Sequence, residues 1–328
     1  MKRSKYFFFF FVLAVLACGF FYAVSKTVFV EIPSPVSPLV FYANRQGVYF
    51  KTLFSRIMRS AQHSLLLYMY GLTDPELLST LGDVARAGVH VDLVYDKKAS
   101  CNVKKLLPDI VHARPFTGAG LMHQKLLIID DQLVFLGSAN MTTPSLHMHD
   151  NFVIGLHSPC LAEALKRGES YACDVIHDHF CEIWQLPDKK GLALRRLLGV
   201  IDSANSALFL AMFTLTHPDL IDALIRAHNR GVHVEVALDF YTSLGSSKAA
   251  AERLKQAGIF LYLSQGESLL HHKWVYVDRR ILVAGSANWT RFAFAKNRDL
   301  FLIMDLPEAK IAWMDALCKT IRREALYE

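Results

Sequence analysis

One stretch of this chain occurs twice. His123-Gln124-Lys125, closed by Asp130 and followed by Gly137-Ser138-Ala139-Asn140, returns as His271-His272-Lys273, closed by Asp278 and followed by Gly285-Ser286-Ala287-Asn288, and the spacing from His to Gly is the same in both copies. The likeness begins further upstream: Ser60–Tyr70 matches Ser203–Phe213, Thr73-Asp74-Pro75 matches Thr216-His217-Pro218, and Gly88–Asp96 matches Gly231–Asp239. A short insertion near Gly245–Ala251 separates these matches from the second motif. The repeat is domain-sized and too long for a solenoid. The fold must therefore be assembled from two similar halves, read as 45–158 and 191–328, with a connector at 159–190.

Each half reads alike. The apolar runs Leu65–Tyr70 and Leu208–Phe213 predict buried strands. Thr73 and Thr216 are candidate caps before Pro75 and Pro218 at an early helical position. The periodic segments Glu76–Ala87 and Asp219–Arg230 predict helices stopped by Gly88 and Gly231. Val89–Tyr95 and Val232–Leu238 read as strands, as do Lys125–Ile129 and Lys273–Val277, Leu133–Leu136 and Ile281–Ala284, and finally Phe152–Leu156 and Leu300–Met304. The order implies an α/β fold: a mixed sheet flanked by helices in each half, the halves packed face to face about a pseudo-twofold axis. Each motif His then begins one strand and each GSAN lies in the turn after the next, so that both meet at one end of the sheet.

A chain of 328 residues, 52% of them hydrophobic, can bury one large core or two fused ones. The net charge of +6 leans basic, but no Lys/Arg run interleaved with aromatics marks a dedicated nucleic-acid surface. At the N-terminus Lys2, Arg3 and Lys5 precede the uncharged run Tyr6–Val24, which fits a transmembrane anchor or a signal-peptide core. Val15-Leu16-Ala17-Cys18 also resembles a lipoprotein cleavage box. We expect residues 1–25 to anchor or export the protein, with the catalytic part extracytoplasmic. Residues 26–44, with Pro33, Pro35 and Pro38, are expected to be an extended spacer. Outside the cytosol the cysteines could pair, Cys173 with Cys181 or Cys160 with Cys181. Cys173, His177, His179 and Cys181 also have the types and close spacing of a zinc site, although they match no standard finger.

Duplicated imidazole, ammonium and amide groups suit the holding of a phosphate and the breaking of its ester. One group must attack phosphorus, another must protonate the leaving oxygen, and cations and amides must hold the remaining oxygens. A single His cannot do both on opposite sides of phosphorus, so the two motifs must face each other. At these residues the chain resembles the phospholipase D superfamily, whose hallmark is the duplicated H-x-K-x4-D with a following G-S-x-N. The resemblance covers nearly everything from Val48 to Met304. It implies a phosphohistidine intermediate and a two-step reaction needing no metal or other cofactor, with His123 as nucleophile and His271 as general acid, or the reverse. It further implies that Lys125, Lys273, Asn140 and Asn288 bind phosphate oxygens, and that Ser138 and Ser286 support the pocket.

The superfamily also sets a carboxylate about ten residues past the Asn to orient the catalytic imidazole. Asn297-x-Asp299 fits that pattern, and Asp150 takes the equivalent place in the first half, where Met148 stands for the Asn. Asp130 and Asp278 complete the catalytic motif, but lying across a strand from each Lys they are expected to serve turn structure more than chemistry. His272 should point to the opposite face from His271. His90 and His233 read as packing or surface residues, Trp274 and Trp289 as core, and Asp96 and Asp239 as turn formers. His147 and His149 are candidates to line the cleft. The expected substrate is a phosphodiester: phospholipid at a membrane, giving phosphatidic acid and an alcohol. The alternatives are nucleic acid cleavage and phosphatidyl transfer of the cardiolipin synthase type. No obligate protein partner is evident.

Overall fold

The computed structural model describes residues 30–264 and 268–327. The expected anchor at Tyr6–Val24 and the cleavage box at Cys18 lie outside them. The strands in chain order are β1 (Leu39–Ala43), β2 (Ser64–Met69), β3 (His90–Tyr95), β4 (His112–Pro115), β5 (Lys125–Ile129), β6 (Leu133–Gly137), β7 (His149–Asp150), β8 (Phe152–His157), β9 (Tyr171–Ile176), β10 (His179–Leu186), β11 (Ala207–Met212), β12 (His233–Leu238), β13 (Phe260–Ser264), β14 (Leu269–Leu270), β15 (Lys273–Val277), β16 (Ile281–Gly285), β17 (Asp299–Asp305) and β18 (Ala325–Tyr327).

They form two large mixed sheets. The first runs β1-β8-β6-β5-β2-β3-β4 and the second β18-β13-β12-β11-β15-β16-β17-β10-β9. The shared core of each is a parallel pair, β2–β3 and β11–β12, joined to an antiparallel meander, β5-β6-β8 and β15-β16-β17. Residues alternate between faces, so each strand serves two cores. Leu126, Leu136, Phe152 and Ile154 of the first sheet share one apolar cluster with Trp274, Ala284, Leu300 and Leu302 of the second. The opposite face of the second sheet, with Leu210, Val275 and Ile303, packs the helices Leu192–Asp202 and Pro218–Asn229. Helices thus cover the outer faces, and the inner faces meet.

Local chemistry explains the helix ends. Pro75–Arg86 is capped not by Thr73 but by Asp74, whose carboxylate accepts from the backbone of Glu76 and Leu77. Its counterpart Pro218–Asn229 starts at His217, which makes no such bond, and Thr216 is not the cap either. Gly88 and Gly231, at φ 99° and 93°, adopt the left-handed turn that ends each helix.

Three expectations are corrected. The spacer does not extend to 44, because β1 pairs with β8 at the edge of the first sheet. The connector is structured: Pro159–Arg167 is a helix, and β10 pairs antiparallel with β17, so the second sheet reaches back to residue 171. The membrane-anchored or secreted, extracytoplasmic placement is also corrected: among the described residues no helix is long and apolar enough to cross a membrane. Cys101, Cys160, Cys173, Cys181 and Cys318 are free thiols, so neither expected disulfide forms. The β9–β10 register shows why Cys173 and Cys181 neither bond nor share an ion. Cys173 lies opposite Glu182 and Cys181 opposite Asp174, so their side chains alternate to opposite faces, one exposed and one buried. Among the described residues the one group able to converge on a metal is instead His90, Asp92 and His112, on β3 and β4.

Candidate active site

The two halves exchange backbone at the residues that precede each motif. His123 N–H donates to Arg298 O and Arg298 N–H to Leu121 O, both at 2.8 Å. In the mirror arrangement β14 pairs parallel with β7, and His271 N–H donates to Asp150 O at 2.9 Å. Asp96 and Asp239 support these crossings. The Asp96 carboxylate accepts from Met122 N at 3.3 Å, and Asp239 accepts from Leu270 N at 3.2 Å. Their place at strand ends suits turn formers. They also turn the chain immediately before each catalytic candidate, and their exact recurrence in the repeat was the available signal.

The exchange sets His123 against the start of β17 and His271 against the residue that leads into β8. His123 Nδ1 meets Asp299 Oδ1 at 2.8 Å, and both are buried. His271 Nδ1 meets Asn151 Oδ1 at 3.0 Å, again buried. Ser286 Oγ donates to Asp299 at 2.6 Å while accepting from Leu300 N, and Ser138 Oγ donates to Asn151 at 3.0 Å while accepting from Phe152 N. The equivalent of Asp299 is therefore Asn151, and the assignment of Asp150 to that place is corrected by one residue. Counting on from Ser138 and Ser286 at constant spacing would have found it. The Asp150 side chain serves elsewhere, against Arg45 and 2.9 Å from His272 Nε2.

Around the histidines the halves match closely. Lys125 Nζ donates to His123 O at 2.6 Å, and Lys273 Nζ to His271 O at 3.0 Å. The ring of Tyr70 lies 5.0 Å from the Lys125 ammonium and 5.1 Å from the His123 ring; Phe213 does the same for Lys273 and His271 at 5.0 and 4.9 Å. In the sequence these aromatics stand out only as the ends of the apolar strand runs. Asn140 and Asn288 are half-buried after β6 and β16; Asn140 Oδ1 accepts from Gly71 N at 3.3 Å. His149 sits with its ring 5.4 Å from that of His271, whereas His147 is exposed. Trp274 and Trp289 are core residues, and His90 is a surface one.

Asp130 and Asp278, carried in the motif as catalytic candidates, stand at the other end of β5 and β15 from the histidines. Asp130 accepts from the backbone N–H of Gln62, His63 and Ser64, and Asp278 from Asn205, Ser206 and Ala207. Each also occupies a tight turn with a positive φ, 52° and 50°, which short Asp side chains tolerate. They brace the hairpin to the entry of the neighbouring strand.

Burial dominates the electrostatics. It draws the Lys125 ammonium down to about 7, against the pull of Asp299 and Asp96. Burial and Lys125 hold Lys273 well below the usual lysine range. His123 is lowered by burial, and Asp299 opposes the effect. His271 lies well below the usual histidine range, through burial, then Lys273, Lys125, His149 and His123. Although burial works against its charge, Asp299 is kept below the usual carboxylate range by His123, Lys125 and the Ser286 hydroxyl. The pocket is short of negative charge, which a bound phosphate would supply.

Residues 54–168 and 197–318 match a family model described as cardiolipin synthase, PLD-like domain. The chain belongs to the phospholipase D superfamily. The two matched segments are its two halves. Mitochondrial cardiolipin hydrolase of Mus musculus is 39% identical over 114 residues, covering 34% of this chain and 51% of that protein. The chain spans about half the length of the curated relatives it matches in this way. Cardiolipin synthase A of Buchnera aphidicola is 24% identical over 308 residues, 76% of this chain and 62% of that one. Phosphatidylserine synthase of Haemophilus influenzae has the same fold, with a TM-score of 0.69 at 12% identity over 91% of this chain and 89% of that one.

Proposed function

We propose that the protein cleaves phospholipid head-group phosphodiesters through a phosphohistidine, giving phosphatidic acid and an alcohol. The observation that carries this reading is the pair of buried histidines anchored through Nδ1, which leaves each Nε2 free for chemistry. His123 Nε2 attacks phosphorus and the bond to the leaving oxygen breaks, while His271 gives that oxygen its proton. His271 then takes a proton from water, the hydroxide attacks phosphorus, and the P–N bond breaks to restore His123. Asp299 balances the positive charge of the phosphorylated imidazole. Lys125, Lys273, Asn140 and Asn288 hold the non-bridging oxygens.

Lipid is favoured over nucleic acid by the cardiolipin-acting relatives and by a set of exposed apolar side chains. Leu121 and Met148 lie two residues before His123 and Asp150, Tyr241 and Leu244 follow Asp239, and Phe292 follows Asn288; all are solvent-exposed. Apolar residues clustered along the segments that build a site suit a lipid surface. The test is to incubate the protein, in EDTA, with vesicles of cardiolipin, phosphatidylcholine or phosphatidylethanolamine and with single- and double-stranded nucleic acid, using His123→Asn as control. Phosphatidic acid released by the wild type alone is the expected result. Cleavage of nucleic acid with every lipid untouched would overturn the reading. Transfer to an added alcohol, as the name of the Buchnera relative suggests, would show the same intermediate captured by a different acceptor.

A further inference from the structure

The two histidines share one anchoring geometry with a different partner: the oxygen facing His123 Nδ1 belongs to a carboxylate, and the oxygen facing His271 Nδ1 belongs to an amide. The amide's orientation is fixed. Asn151 Nδ2 donates to Ser145 O at 2.8 Å and faces His149 O at 3.3 Å, so Oδ1 must be the atom turned to Ser138 Oγ and His271. An accepting oxygen keeps a proton on His271 Nδ1 and leaves Nε2 as the group that exchanges one with substrate.

Among the described residues, the surroundings of His271 supply no substitute for the missing charge. From β15 comes the Lys273 ammonium on the His271 carbonyl, from β5 Lys125, from β7 the His149 ring, and from the end of β11 the apolar ring of Phe213. The carboxylates nearby are committed elsewhere: Asp299 to His123 and Ser286, Asp150 to Arg45 and His272, and Asp239 to the backbone of Leu270 and Thr242.

We propose that Asn151 is a positioning residue that holds His271 without charging it, and so sets the upper pH limit of the step in which His271 protonates the leaving oxygen. The inference rests on the phosphodiesterase reading. His271 must be protonated when the P–O bond breaks and neutral when water attacks. With an amide behind it the imidazolium is sustained chiefly by the bound phosphodiester anion, and the acid form is lost early as pH rises. The second step, which needs the neutral form, gains by the same arrangement. Asn151 therefore favours breakdown of the phosphohistidine over its formation at neutral and higher pH.

The test is the pH dependence of kcat/KM for wild type and Asn151→Asp on a diester with an alkoxide leaving group, phosphatidylcholine in mixed micelles. A carboxylate beside an imidazole raises its pKa by about 1–3 units. The descending limb should move to higher pH by about that amount. With bis(p-nitrophenyl) phosphate, whose phenolate leaves without a proton, the difference between the two proteins should shrink. A merely structural residue would change rates without moving the limb, and Asn151→Ala, which removes the anchor and adds no charge, should behave in that way.

If Asn151→Asp fails to fold, nitrogen-15 NMR of histidine-labelled wild type decides, with the His271 signal assigned by its loss in His271→Asn. His271 should stay neutral at pH values where His123 is already protonated, and should gain its proton when tungstate binds. An unmoved limb in a folded Asn151→Asp, or protonation of His271 before His123, would overturn the proposal. Failure of the wild type to cleave either diester would instead sink the phosphodiesterase reading, and the NMR order would still stand or fall by itself.

Discussion

Placed side by side, the two halves agree in frame and disagree at one contact. Each presents a lysine on the carbonyl of its histidine, an aromatic ring behind both, an aspartate turning the chain into the motif, and a second aspartate bracing the far hairpin. The group behind the imidazole differs in charge, Asp299 against Asn151. A duplicated scaffold thus supplies two equivalent mounts, and a single side chain decides how much charge each mount tolerates. The proposed reaction turns this into a division of labour. In it, the histidine that carries a positive phosphorylated state is paired with an anion, and the one that gains and loses a proton is paired with a dipole.

The sharpest attack on this comparison removes the histidines themselves. His123→Asn and His271→Asn should each lower phosphodiester cleavage by roughly 10⁴-fold or more. Only His271→Asn should still accumulate an acid-labile phosphoprotein with an activated diester; a phosphoprotein in His123→Asn instead would reverse the assigned roles. Asp299→Asn makes the two mounts alike and should cost about 10²–10⁴-fold in kcat. Asn151→Ala, which loses a neutral hydrogen bond, should cost only about tenfold. Equal losses at the two positions would erase the distinction between them.

Smaller effects concern stability. The Lys125 ammonium, drawn down to about 7 by burial, has an ordinary pKa in the unfolded chain. Between about 7 and 10 the unfolded chain therefore binds more protons, and stability from this group rises with pH across that window. Lys125→Met should abolish activity, flatten that rise and lift the melting temperature at pH 7 by roughly 2–4 °C. A lower melting temperature would show that the ammonium is well compensated in the free protein. Asp130→Ala, far from the chemistry, should cost about 1 kcal/mol in denaturant melts through the backbone donors it strands, and leave kcat unchanged.

The repeat made the architecture legible, because a duplicated pattern of strands and helix stops permits few assemblies. The pairing of His with Lys and the later Asn was equally legible, since these residues are fixed by short spacings along single strands. What escaped was what depends on partners distant in sequence. β1, β9 and β10 join sheets through pairings that no local periodicity announces. Asp150 offers the carboxylate that the family pattern names, but the serine spacing points one residue on, to the amide oxygen of Asn151. Asp96 and Asp239 were visible as repeated residues, but their hydrogen bonds to Met122 and Leu270 exist only after the chain has folded back. Composition places Cys173 and Cys181 close in sequence, while strand alternation separates them onto opposite faces.

The crossing of backbone between the halves, with His123 held by Arg298 and His271 by Asp150, has a bearing on descent. Two identical subunits related by a twofold axis could build the same crossing, but symmetry would oblige both histidines to meet the same residue. Unequal partners become available only when both copies share one polypeptide and can be altered separately. Tandem fusion is thus the event that lets one imidazole be tuned without retuning the other.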